Sequence, residues 1–258
     1  MIRFLENNCL IIFFLSIFFL IIAFLEVILS LQWRKKSKYE TQMLIYRDKA
    51  LVRQIDAHFI FNFLNSLQSH LISDDKVDAI KNLGKFSNVL RRFLENSLHS
   101  ELVIQKEIDA LKLYMEVEQF RFKNSFDFEI NIDSQINTVY YKMPSFLLQP
   151  FVENALYHGV LYLKEEDNRK GKIKIDFKLL KNAIQITVDD NGVGREIAQT
   201  IEINREKKSL GNKFIEKRLE TLSSIFKKNF SVQIIDKKDE KTDKSIGTKV
   251  IILIPQLY

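Results

Sequence analysis

A chain of 258 residues, 46% of them hydrophobic and only three of them proline, has room for one membrane segment and one or two modest domains, without a long disordered linker. Its single cysteine, Cys9, excludes a disulfide framework and a thiol metal cluster. The net charge of +6 is half explained by residues 1–39, which carry five basic against two acidic residues, so the balance calls for no direct nucleic-acid contact.

The first predicted element is apolar. Cys9 to Leu25 contains no charge, and apolar character resumes from Val27 to Leu31 after Glu26. That meets the roughly twenty residues a helix needs to cross a bilayer. The stretch is too long for a cleaved signal peptide, and no small-residue cleavage site follows it. Only Arg3 is basic ahead of it, whereas Arg34, Lys35, Lys36 and Lys38 follow. The positive-inside rule predicts a single pass through membrane lipid of the inner (cytoplasmic) membrane, N-terminus outside and the remainder cytoplasmic, with Trp33 as interfacial anchor. Glu26 is read as reaching interfacial water. The eight residues ahead of the span leave no room there for an extracellular sensor. A signal is expected through the span, a membrane sensor partner or the cytoplasm.

From Tyr39 to about Phe122 the pattern predicts three helices, through His58 to Leu71, over Val77–Leu98 and over Leu102–Phe122. Ser73-Asp74-Asp75 supplies capping residues between the first two. Apolar faces this wide predict a homodimeric bundle. On the first helix Gln54, His58, Asn62 and Asn65 fall within roughly 80° of one another, beside an apolar face of Val52, Ile55, Phe59, Phe63 and Leu67. A solvated stripe in this chain carries Lys and Glu. An uncharged stripe of two asparagines, a glutamine and a histidine instead offers a nucleophilic imidazole flanked by groups that fix its tautomer or orient water. Taken alone, His58 would read as an ordinary half-buried helix histidine.

At Phe126 the period changes to two, predicting a strand to Ile132, with further strands at Lys172–Leu180, Ala183–Asp189, Phe230–Asp236 and Lys249–Ile254. Helices are predicted at Pro144–Gly159 and Lys213–Lys227, giving an α/β sandwich. The helix before Gly159 carries Glu153, Asn154 and His158. A spacing of four puts Asn154 and His158 on one face, an amide oxygen suits Mg²⁺, and the carboxylate suits proton or water handling. Val188-Asp189-Asp190-Asn191-Gly192-Val193-Gly194 is a strand entering a glycine loop, where backbone N–H groups come close to a phosphate or purine and Asp190 can accept from adenine's amine. Gly84 is the only glycine before Gly159. Gly171 reads as an ordinary turn, while Gly159, Gly192, Gly194, Gly211 and Gly247 fall where a nucleotide pocket needs glycine.

The blocks Gln149–Gly159 and Val188–Gly194 resemble the N box and first G box of the GHKL ATPase fold. The segment around His58 is similar to the phosphoacceptor helix of LytS-type sensor histidine kinases, whose pattern runs Gln-x-x-Pro-His-Phe-x-Phe-Asn-x-Leu-Asn. Every named position matches except proline, where Ala57 stands. Glu101–Ile108 and Tyr114–Phe122 look like the family's connecting helix, extending the resemblance over nearly all of residues 45–256. Tyr114 and Arg121 are read there as packing and salt-bridge residues.

The resemblance implies an α+β chain: a transmembrane anchor over 1–38, a dimeric helical phosphoacceptor region over 39–123, and a GHKL (Bergerat) ATP-binding domain over 124–258. It implies ATP and Mg²⁺, with His58 as phosphoacceptor, Glu153 as base or water-orienting residue, and Asn154 on the metal. His158, Gly159, Asp190, Gly192, Gly194, Gly211, Lys213 and Thr248 would surround the nucleotide, and Asn62 would position water for a phosphatase reaction. The second G box departs from the pattern, with Ser209 for its first glycine, which bears on lid closure and ATP affinity. The phosphoryl group would pass to an aspartate of a separate response regulator, of the LytTR DNA-binding type. The competing expectation is an ATP-binding membrane scaffold, or pseudokinase, without phosphotransfer. An ATP-hydrolysing clamp would have no use for His58 or the span.

Overall fold

A computed structural model describes residues 26–27, 29–33, 57–72, 76–163, 169–204, 211–240 and 242–257. The chain divides into two compact units, 1–46 and 47–258. In the first, Glu26, Val27 and Leu29–Trp33 are helical and exposed. No helix among the described residues is long and apolar enough to cross a membrane, and the predicted span from Cys9 to Leu25 lies outside them.

The second unit opens with helices α1 (Ala57–Ile72), α2 (Lys76–Ser97) and α3 (Ile104–Arg121). Aromatic residues at helical spacing hold them together. Phe63 stacks on Phe86 with centroids 4.0 Å apart, and Phe59 lies 5.6 Å from Phe86 and 5.3 Å from Tyr114. Each such pair contributes about 0.5–1.5 kcal/mol beyond its buried area. Phe61, Leu64 and Leu71 of α1 and Val77, Ile80, Leu83 and Leu94 of α2 remain exposed.

Two predicted helices are shorter than expected. Glu101–Val103 is a strand, β1, paired antiparallel with β3 (Lys142–Pro144), so α3 begins only at Ile104. Phe146 has φ 55°, a left-handed backbone that interrupts any helix from Pro144. Helix α4 (Gln149–Asn154) therefore starts with Pro150 in its first turn. It continues as a π turn, Ala155–Gly159, and a 3₁₀ turn, Val160–Tyr162.

The main sheet comprises β2 (Phe126–Ile132), β4 (Gly171–Leu179), β5 (Ala183–Asp190), β6 (Ser231–Lys238) and β7 (Ser245–Pro255), in the order β2-β4-β5-β7-β6. β2 and β4 are parallel and the other neighbours antiparallel. Ile173, Ile175 and Phe177 of β4, Ile184, Ile186 and Val188 of β5, and Ile252 and Ile254 of β7 are buried. The alternate positions carry ion pairs such as Lys172–Glu129 at 3.4 Å and Lys174–Asp176 at 3.2 Å. This alternation marks one core face and one solvated face. Helices α5 (Arg195–Asn204) and α6 (Gly211–Phe226) follow β5. Ile215, Leu219 and Leu222 of α6 join one continuous core with Phe63, Tyr114, Phe151 and Ile252. The architecture is α+β, with the three leading helices and the sheet sharing that core.

Candidate functional site

The sheet carries Asp190 to the end of β5, where the chain leaves the ladder for the glycine loop. Its side chain is buried, and Oδ1 accepts hydrogen bonds from the backbone N–H of Gly192 at 2.8 Å and of Thr248 at 3.2 Å. Burial pushes its pKa up to about 6, against the lowering effect of those two donors and of Lys237. A carboxylate that resists ionisation yet keeps two aligned donors is a poised acceptor.

Three backbone segments converge on it. A β-carbon on Gly192 would stand 2.3 Å from the carbonyl carbon of Gly159, and Val193 N–H donates to Gly159 O at 3.3 Å. Gly247 adopts φ 133°, and a β-carbon there would stand 2.0 Å from the Asp190 carbonyl oxygen. Glycine is required at both places, by close approach at the first and by close approach and conformation at the second. Gly194 ends the loop and its carbonyl begins α5, accepting from Ala198 N–H at 3.1 Å. Asn191 closes the other side through Lys172 N–H at 2.6 Å and the Lys170 carbonyl at 2.9 Å.

Asn154 is the last residue of α4, half-buried, and its amide has no hydrogen-bond partner among the described residues. Its amide oxygen is a hard donor of the kind Mg²⁺ takes. Glu153 is half-buried and accepts from Gln149 Nε2 at 2.8 Å. His158 is exposed, its ring edge-on to Tyr162 at 6.2 Å. Asn154 immediately precedes the π turn and His158 lies within it, the first half-buried and the second exposed.

Residues that local pattern did not single out brace this site. Glu107, buried on α3, accepts from the N–H of Phe146 at 3.0 Å and of Leu148 at 3.4 Å. Arg218 of α6, also buried, donates to the carbonyls of Ser145 and Phe146 at 2.6 Å each. Together they fix the segment that enters α4. Burial pushes the Glu107 pKa up to about 7 despite the backbone donors and Arg218. Arg195, at the start of α5, pairs bidentately with Asp236 at 2.7 and 2.6 Å, and Lys237 pairs with Asp189. The available clue to Glu107 was its place, with Glu118, on the 107-111-114-118 stripe of a buried helix face.

Residues 46–126 match the family model described as histidine kinase. Over 223 residues the chain is 30% identical to the sensor histidine kinase YesM of Bacillus subtilis, covering 84% of this chain and 35% of that protein. It belongs to the LytS-type sensor histidine kinase family. The sensor histidine kinase/phosphatase LytS of Staphylococcus aureus is 32% identical over 161 residues, 60% of this chain and 26% of that one. The sensor histidine kinase YpdA of Escherichia coli is 34% identical over 160 residues, again 60% of this chain and 26% of that one. The chain thus spans roughly a quarter to a third of the length of these relatives. The catalytic domain of histidine kinase ThkA aligns at TM-score 0.41 and 18% identity, over 60% of this chain and 95% of that one.

Within this LytS-type chain, Gly159, Asp190, Gly192, Gly247 and Thr248 lie together, and Gly194 closes the same loop. His58 falls in the first turn of α1, and Gly211 begins α6. The side chains of His58 and Lys213, and all of Gln54 and Ser209, lie outside the described residues. Asn62 is half-buried on α1 and Asn65 is exposed. Tyr114 and Arg121 are packing and ion-pair residues. Tyr114 sits between Phe59 and Phe93, while Arg121 Nη2 lies 3.0 Å from Glu118 Oε2 and donates to the Tyr157 hydroxyl at 3.0 Å.

Proposed function

We propose that this chain is a membrane-anchored sensor kinase that transfers the γ-phosphoryl group of ATP to His58 and then to an aspartate of a separate response regulator. The Asp190 cradle is the observation that carries the reading. Its carboxylate is prepositioned by two backbone N–H groups and walled by glycines, as recognition of a purine amine requires. His58 lies on a helix packed into the same core.

In this account Asp190, assisted by Thr248, accepts from the adenine amine. Gly159, Gly192, Gly194 and Gly211 let backbone approach the nucleotide, with His158 and Lys213 at its phosphates. Asn154 would hold Mg²⁺, which offsets phosphate charge when bound. The remaining catalysis is positioning. A neutral ring nitrogen of His58 attacks the γ-phosphorus in line as the bond to the β-phosphate oxygen breaks, and ADP leaves. Glu153 acts as base or orients water, because Phe59, not an acid, follows His58. Asn62 would position water when the regulator is dephosphorylated. Unchanged phosphatase activity after replacing Asn62 would remove that role.

The regulator is expected to be of the LytTR DNA-binding type, so nucleic acid is reached only through it. The exposed apolar face of α1 and α2 favours a homodimeric bundle. The uncharged segment Cys9–Leu25 and the basic residues after it favour a single-pass anchor in membrane lipid, with 39–123 and 124–258 on the cytoplasmic side. Incubation with γ-labelled ATP and Mg²⁺ tests the reading. Label that survives alkali and is lost in acid supports the kinase, whereas nucleotide binding without label supports the scaffold.

A further inference from the structure

Tyr157 stands in the π turn, three residues after Asn154, and its contacts lead away from the nucleotide cradle. Its hydroxyl accepts from Arg121 Nη2 at 3.0 Å, and the guanidinium carbon lies 5.4 Å from its ring centroid and 4.3 Å from that of Phe122. Arg121 Nη2 is also 3.0 Å from Glu118 Oε2, in a pair whose side chains are 8% and 0% exposed. Both belong to α3. On that helix Tyr114 meets Phe59 at 5.3 Å, the residue directly after His58, and Phe120 meets Phe63 at 6.2 Å. An unbroken run of packed side chains therefore joins the histidine helix to the turn behind Glu153 and Asn154.

Two features distinguish this run from an ordinary structural ion pair. Arg121 Nη1 is buried without a hydrogen-bond partner among the described residues, and the Glu118 carboxylate buried beside it also bonds the Tyr157 hydroxyl. Buried charged groups are normally fully bonded, so an incompletely satisfied guanidinium at this depth is unusual for a purely structural pair. The π turn is the other feature. It takes up one more residue per turn than an α-helix, between an entry fixed by Glu107 and an exit fixed where Gly159 meets Gly192. Any shift of Arg121 acts on Tyr157, inside the one irregular turn between those anchors.

We infer that Glu118, Arg121 and Tyr157 are positioning residues through which helices α1–α3 set the placement of Glu153 and Asn154 for phosphoryl transfer. The inference rests on the kinase reading above. None of the three touches the reacting atoms. They couple the state of the helical bundle to the geometry of the turn, so the network governs the transfer step and leaves nucleotide affinity alone.

The test compares Tyr157→Phe, Arg121→Met and their combination with the unaltered full chain. Three quantities are measured: the rate of His58 labelling at saturating ATP, the Kd of a fluorescent ATP analogue, and the thermal midpoint. Tyr157→Phe removes one oxygen and keeps the ring. We expect the labelling rate to fall tenfold or more in each single variant, with analogue Kd within twofold. The double variant should be no slower than the slower single, because the residues act as one unit. An unchanged rate in Tyr157→Phe overturns the inference. So does a rate loss matched by equal loss of analogue binding or by collapse of the thermal midpoint, which would make the role merely structural. No label in the unaltered chain defeats the kinase reading itself and the inference with it.

Discussion

The backbones of Gly159 and Gly192 meet so closely that a β-carbon on Gly192 would lie 2.3 Å from the Gly159 carbonyl carbon and 2.5 Å from its Cα. The contact ties the end of the Asn154 helix to the loop that caps Asp190. It cannot open without releasing the Val193 N–H from the Gly159 carbonyl.

Gly192→Ala should therefore lower affinity for a fluorescent ATP analogue by at least tenfold, with a loss of about 1–3 kcal/mol of stability from overpacking. Titration and urea unfolding measure the two effects. Native-like affinity would show that the cradle is not the nucleotide site.

Nucleotide binding should depend on the ionisation of Asp190. With a pKa of about 6 in the free protein, its carboxylate is mostly ionised at pH 7 and mostly protonated at pH 5. An acceptor for an amine is needed in ionised form, so affinity should fall by up to about tenfold between those values. Asp190→Asn should bind weakly and without that pH dependence. A flat profile for the unaltered chain would remove Asp190 from the binding account.

Stability without nucleotide should run the other way. Glu107 and Glu118 are raised by burial to about 7, from an ordinary 4.5, and Asp190 to about 6 from 3.8. The folded chain then holds more protons than the unfolded chain between about pH 4.5 and 7, so stability falls as pH rises through that window. Asp133 and Asp236, whose pKa values are lowered by hydrogen bonds, contribute stability above the ordinary aspartate value and lose it only on further acidification. The thermal midpoint should drop from pH 5 to pH 7.5, and Glu118→Gln should flatten the slope. A rising midpoint contradicts this assignment.

Arg218→Met tests the brace on the α4 entry. It leaves Glu107 buried without its cation and frees the carbonyls of Ser145 and Phe146, a loss of about 3–5 kcal/mol. Urea unfolding of the variant measures it, and a loss under 1 kcal/mol would make the brace incidental.

Elements with a full period were legible in the sequence. The helix expected over Val77–Leu98 is Lys76–Ser97, and the strand expected over Phe126–Ile132 has those bounds. β1 and β3 have three residues each, too few to display alternation, and their pairing joins Leu102 to Met143 across the chain. The π turn was hidden for a related reason. Its last residue, Gly159, meets Gly192 only once the fold has brought them together, which no local spacing displays. In the site, Asp190 and its glycine loop were readable as a strand entering a turn. The second donor, Thr248, lies 58 residues away and joins only through the sheet. Its role came from family resemblance. Arg195 and Asp236 also meet only across the fold.

The decisive step is transfer of the phosphoryl group to His58. The most direct measurement incubates the full chain and its His58→Gln variant with γ-labelled ATP and Mg²⁺ and compares protein-bound label. Label is expected on the unaltered chain and none on His58→Gln, with equal binding of an ATP analogue by both. Equal label on the two proteins would contradict it, because the acceptor would then be another residue.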